Sequence, residues 1–196
     1  MKSFDLKGTL RTEVGKKSTN ELRKNNGVPC VLYGIERDAN GLPVAKSFSV
    51  VADDLRKLIY TPEIFVVNLN IDGKECKAII KAMQFHPVKD NVLHMDFLQV
   101  EETKPIVMEV PIVLTGLAAG VKLGGKLQQA IRKFKVKALY TAIPEKLTVD
   151  VTSLGLGKSI KVGDLSYEGL ELINPAQTVV CSVAATRASR DAEAAE

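Results

Sequence analysis

The chain has 196 residues, 45% hydrophobic and 26% charged, with a formal net charge of +4. That balance is the balance of a soluble globular protein, and the length allows one large domain or two of about 100 residues. No apolar run reaches the roughly 18 residues of a membrane-spanning helix, and MKSFDLKG at the start lacks a signal-peptide apolar region, so no membrane partner is expected and the cytoplasm is the default location.

Aromatic residues make up 5% and Trp is absent. Cores must therefore be built mainly from Val, Ile and Leu, which favours strands. Residues 3–10 place Phe4, Leu6 and Leu10 on one face, with a gap at Gly8, and read as a strand. Residues 11–17 lack periodicity and read as a basic loop. Ser18-Thr19-Asn20-Glu21 matches a capping box opening a short helix. Gly27 would end that helix in the left-handed conformation.

Val28–Gly34 reads as a buried strand, and Asn40-Gly41 as a hairpin signal leading to a strand at Val44–Val50. Val51–Tyr60 predicts a helix with Leu55, Leu58 and Ile59 as its apolar stripe. Ile64–Ile71 and Cys76–Met83 predict strands joined by the turn Asp72-Gly73. His86–Asn91 reads as a loop and Val92–Val100 as a strand. Six short strands by residue 100 commonly close into a barrel, which removes exposed edges. Residues 101–105, polar and apolar-free, are the linker candidate.

Ile106–Leu114 reads as a strand that Pro111 confines to an edge or a bulge. Gly116, Gly120, Gly124 and Gly125 punctuate a loop-rich stretch, and only Lys126–Ile131 hints at helix. Ile131–Tyr140, Lys146–Val151, Leu170–Ile173 and Thr178–Ala185 read as strands. The fold class is mainly β, with an N-terminal six-stranded antiparallel barrel over residues 1–100 and a second β domain over 101–187. Residues 188–196 are low in complexity and read as a disordered tail.

Charge is uneven. Residues 1–24 hold seven basic and three acidic side chains, so this segment carries a charge equal to that of the whole chain. Such a cluster suits a polyanion. Chemistry of other kinds finds little support. GVKLGG lacks the spacing of a phosphate loop. Cys30 and Cys76 lie in apolar strands, where a thiol is inert core rather than nucleophile. Two His and no CxxC furnish no recognisable zinc site. No catalytic residue, metal, cofactor or small-molecule substrate is expected. His86, before Pro87, reads as a turn histidine. His94 and Asp96 instead share the outward face of a strand, where Asp96 can fix the His94 tautomer. Tyr33 stands at a strand end beside Gly34.

LKGTLRTEVGKKSTNELRKNNGVPCVLYG followed by QFHPVKDNVLHMDFLQV resembles the bacterial large-subunit ribosomal protein family numbered twenty-five, which binds 5S rRNA. The stretch from VPIVLTG to VGDL resembles the C-terminal domain of that family's long form, the general stress protein CTC type. The resemblance implies a barrel that binds the loop E helix of 5S rRNA through its minor groove, in a monomer within the ribosome. It implies contacts from Arg11, Lys16, Thr19 and Arg23 near the N-terminal helix. Tyr33, Lys81, Gln84, His94 and Asp96 would complete the surface. Family members often carry Arg where this helix has Asn20 and Glu21, and Lys17 and Lys24 partly compensate. The second domain would touch neighbouring large-subunit components. The alternative is a stress-related adaptor whose C-terminal domain binds protein.

Overall fold

A computed structural model describes residues 1–35, 37, 41 and 44–186. The hairpin signal at Asn40 and the tail from Ala188 lie outside the described residues. The chain divides into two compact units, Met1–Lys104 and Pro105–Glu196.

In the first unit, β1 (Lys2–Leu10), β2 (Gly27–Tyr33), β3 (Lys46–Val51), β4 (Phe65–Ile71), β5 (Lys74–Phe85) and β6 (Val92–Gln99) close a barrel in the order β1-β3-β2-β6-β5-β4. The wall is mixed rather than wholly antiparallel: β1 runs parallel to β4, and β2 parallel to β6. Both parallel seams join strands far apart in the chain, where no tight turn dictates direction. Asp72 and Gly73, at φ 47° and 86°, form instead the left-handed two-residue turn that makes β4 and β5 antiparallel neighbours. Inside, Leu6, Leu32, Phe48, Leu69, Met95 and Phe97 belong to one core. A methyl group on Gly8 would stand 2.7 Å from the Phe48 ring, so the gap in the β1 pattern is the room that Phe48 occupies.

Helices α1 (Lys16–Lys24) and α2 (Ala52–Ile59) connect strands of the barrel. Leu55 and Leu58 of α2 are buried as its stripe requires. The start and end of α1 differ from the sequence expectation. Gly15 is its N-cap at φ 129°, and no side chain caps it. That glycine-only conformation turns the chain directly into Lys16, so Ser18 is already inside the first turn and the box with Glu21 does not form. Thr19 Oγ1 donates back to the Gly15 carbonyl at 2.8 Å. At the other end the left-handed residue is Asn26, at φ 59°. Gly27 opens β2, where a Cβ would meet Leu22 at 2.7 Å.

The second unit holds two sheets. β7 (Ile106–Thr115), β9 (Lys133–Ala138), β10 (Leu147–Asp150) and β12 (Glu171–Leu172) are ordered β10-β7-β9-β12. β8 (Lys126–Gln129), β11 (Ser159–Lys161) and β13 (Val179–Ala184) are ordered β11-β13-β8. β7 is therefore interior, not an edge. The ring of Pro111 is tolerated because Ile112 donates to the carbonyl of Arg132, the residue just before β9, so the Pro111 nitrogen points to the other side. There β10 begins pairing only at Ile112. Lys126–Ile131 hints at helix in the sequence, but its Lys126–Gln129 portion is a strand because it pairs with β13. Tertiary pairing overrides propensity here. The short helix α3 is Ala119–Lys122. Ser159–Lys161, with Ile160 as its one apolar residue, offers too short a signal for sequence reading.

Candidate nucleic-acid interface

Strand alternation sorts the barrel wall. On β6, Met95 and Phe97 are fully buried, so His94, Asp96 and Leu98 face outward. On β2, Cys30 and Leu32 point in, so Val31 and Tyr33 point out. On β3, Phe48 and Val50 point in, leaving Ser47 outside. The register then aligns these side chains. Val31 lies opposite Ser47 on one side and Asp96 on the other. The Arg11 amide continues the β1–β3 ladder by donating to the Ser47 carbonyl at 2.9 Å. One transverse row therefore reads Arg11, Ser47, Val31, Asp96, crossing three strand gaps or about 14 Å. His94 faces Gln84 across the β5–β6 seam.

His94 Nδ1 lies 2.8 Å from Asp96 Oδ1, with both side chains about one-third exposed or less, at 27% and 33%. The ring N–H donates to the carboxylate, which fixes the tautomer and leaves Nε2 turned away from Asp96. Two bulges frame this pair. Lys81 is the extra residue between Ile80, opposite Phe97, and Ala82, opposite Asp96. Leu93 is the extra residue on β6, between Val92, opposite Phe85, and His94, opposite Gln84. Bulges bend and twist a ladder locally and re-aim its side chains.

The remaining basic residues approach from α1. Arg23 donates from Nε and an Nη to the Leu93 carbonyl, at 3.2 and 2.9 Å. Its guanidinium thus ties α1 to the bulge beside His94. Lys16 is exposed at the start of α1, and Thr19 is half-buried one turn later. Burial first, then the Asp96 carboxylate, raise the Tyr33 phenol. Burial pushes the Cys30 thiol up to about 12, with Arg11 lowering and Asp96 raising it. Ser47 is a member of the central row that sequence reading missed, although the alternation of β3 carries the signal.

Cys30, 1% exposed, is therefore a thiol and not a nucleophile at neutral pH. A pH dependence follows. The unfolded thiol ionises near pH 8.5, well below the folded value of about 12. Stability is full below the unfolded value and falls as pH rises from about 9 towards 12. Urea midpoints should decline over that window, and Cys30→Ala should remove part of the decline. His86 behaves as a turn residue: its Nδ1 accepts the amides of Val88 and Lys89, each at 3.2 Å. Among the described residues no group of three or more His, Cys, Asp or Glu is placed to hold a metal.

Two family models match the chain: the Ribosomal L25p family over residues 6–97 and the Ribosomal protein TL5, C-terminal domain over residues 105–187. A large ribosomal subunit protein bL25 of Phocaeicola vulgatus is 67% identical over 99% of this chain and 98% of its own length. The chain belongs to the bL25 family. Further bL25 relatives are those of Bacteroides thetaiotaomicron, 58% identical over 100% of this chain and 98% of its own, and Porphyromonas gingivalis, 54% identical over 98% and 97%. A bL25 chain is a ribosomal protein and not an enzyme, and its place is the bacterial ribosome in the cytoplasm. The two matches show the long form of the family, with a C-terminal domain behind the L25p segment.

Proposed function

We propose that the barrel wall described above binds 5S rRNA, at the minor groove of its loop E helix, as part of a structural constituent of the large ribosomal subunit. The observation that carries this is the outward row from Arg11 to Asp96, with His94 and Gln84 beside it. An A-form minor groove is wide and shallow and displays 2′-hydroxyls and base edges. A barrel wall bearing a row of polar side chains can lie along it. Arg11, Lys16 and Lys81 supply salt-dependent attraction to phosphates, while His94, Asp96, Gln84 and Tyr33 supply register. Asp96, an acid facing a polyanion, is tolerated as the partner that orients His94 and as an acceptor from a 2′-hydroxyl or an exocyclic amine.

The barrel half, residues 1–99, carries a net charge of +3 and residues 100–196 a net +1. The second unit suits neighbouring ribosomal components, and the protein acts there as a monomer. The test is filter binding to 5S rRNA with random RNA as competitor. Preferential retention of 5S rRNA supports the reading. No binding even at low salt would favour an adaptor that works through its C-terminal domain. Lys16→Ala should weaken binding to every RNA by similar factors and reduce the slope of log affinity against log salt by about one.

A further inference from the structure

The geometry points to Thr9 and Ser49 as a second reading element of this wall, a neutral hydroxyl pair that contacts ribose 2′-hydroxyls. This deepens the RNA reading above and rests on it. Thr9 lies opposite Ser49 across the β1–β3 seam, and the two hydroxyl oxygens are 2.9 Å apart. Ser49 stands between buried Phe48 and Val50, so it faces outward, and Thr9 is exposed. Thr9 is two residues before Arg11 and Ser49 two after Ser47. The pair therefore sits one row, about 7 Å along the strands, from the row that ends at Asp96. On its far side Ser49 faces Pro29. Extending the β2–β6 register one residue beyond Cys30–Met95 brings Pro29 level with His94.

The chemistry of the pair fits a sugar edge better than a phosphate. It carries no charge. One hydroxyl proton is used between the two oxygens, which leaves one O–H donor and several lone pairs pointing to solvent. A ribose 2′-hydroxyl both donates and accepts, and it is the group that tells RNA from DNA at a given site. A sheet face bearing a hydroxyl pair on one row and Arg11 and Asp96 on the next presents sugar contacts beside charged ones. The alternative role is a cross-strand contact that only supports the sheet, and the test separates the two.

The full-length chain is titrated with a loop E duplex and with the same duplex carrying 2′-deoxy sugars at one or two groove-facing positions at a time, which keeps the A-form groove. Wild type should lose about three- to tenfold in affinity on deoxy substitution, the scale of one or two net hydrogen bonds. The double variant Thr9→Val with Ser49→Ala should lose a similar factor on the all-ribose duplex. It should show a smaller further loss on the deoxy duplex and an unchanged salt slope, because no cation is removed. The swapped variant, Thr9→Ser with Ser49→Thr, should keep wild-type behaviour. If the double variant binds the ribose duplex as wild type does and keeps the whole deoxy penalty, the pair is only a sheet contact and this inference fails alone. If wild type itself does not bind the ribose duplex, the RNA reading fails and carries this inference with it.

Discussion

His94→Ala should weaken binding to 5S rRNA by about 1–3 kcal/mol, the range of a good base-edge contact, and leave binding to random RNA nearly unchanged. The imidazole is held by Asp96 Oδ1 at 2.8 Å and framed by bulges at Lys81 and Leu93, so its other nitrogen would meet the proposed RNA in one orientation. Little conformational entropy remains to be lost on binding. Truncation does more than delete a contact. It leaves the Asp96 carboxylate, already one-third exposed, facing the polyanion without its N–H partner. Asp96→Ala should therefore cost less than His94→Ala, and the double variant less than the sum of the two. Filter binding of the three variants with 5S and random RNA measures this. Equal losses on both RNAs for His94→Ala would refute a reading role.

The sheet core was readable because strand patterning survives in a single chain. The alternation of VLHMDF placed His94 and Asp96 outside and Met95 and Phe97 inside, as the burial shows. Asp72-Gly73 announced its turn for a conformational reason, since both positions need positive φ. Two kinds of information were not local. Register decides that Arg11 and Asp96, 85 residues apart in the numbering, share a row, and no window of sequence contains both. Pairing partners likewise made β8 a strand against its propensity and put β7 in the interior of its sheet. The cap of α1 failed for a different reason. The Ser18 box was a sound local signal, but Gly15 reaches a backbone conformation closed to other residues and starts the helix earlier.

The position of α1 depends on Arg23 in a way that basic composition alone conceals. Arg23→Ala should loosen α1 and weaken 5S rRNA binding more than Lys16→Ala does. The helix has nine residues, no buried residue and no side-chain cap, so it is marginal on its own. The Leu93 carbonyl belongs to the extra residue of the β6 bulge, and the Arg23 fork donates to it twice, at 2.9 and 3.2 Å. Removing the fork strips charge-assisted hydrogen bonds from a half-buried carbonyl, at a cost of about 1.5–3 kcal/mol. The loss falls at the bulge that aims His94, so specificity for 5S rRNA should decline together with affinity. Arg23→Lys separates charge from geometry. It keeps the cation but replaces a planar two-donor fork with a point charge. If Arg23 serves only as a phosphate contact, lysine should restore binding and amide exchange in α1 should match wild type. If the clamp on Leu93 is what counts, lysine should restore the salt slope but not the preference for 5S rRNA, and the α1 amides should exchange faster in both variants.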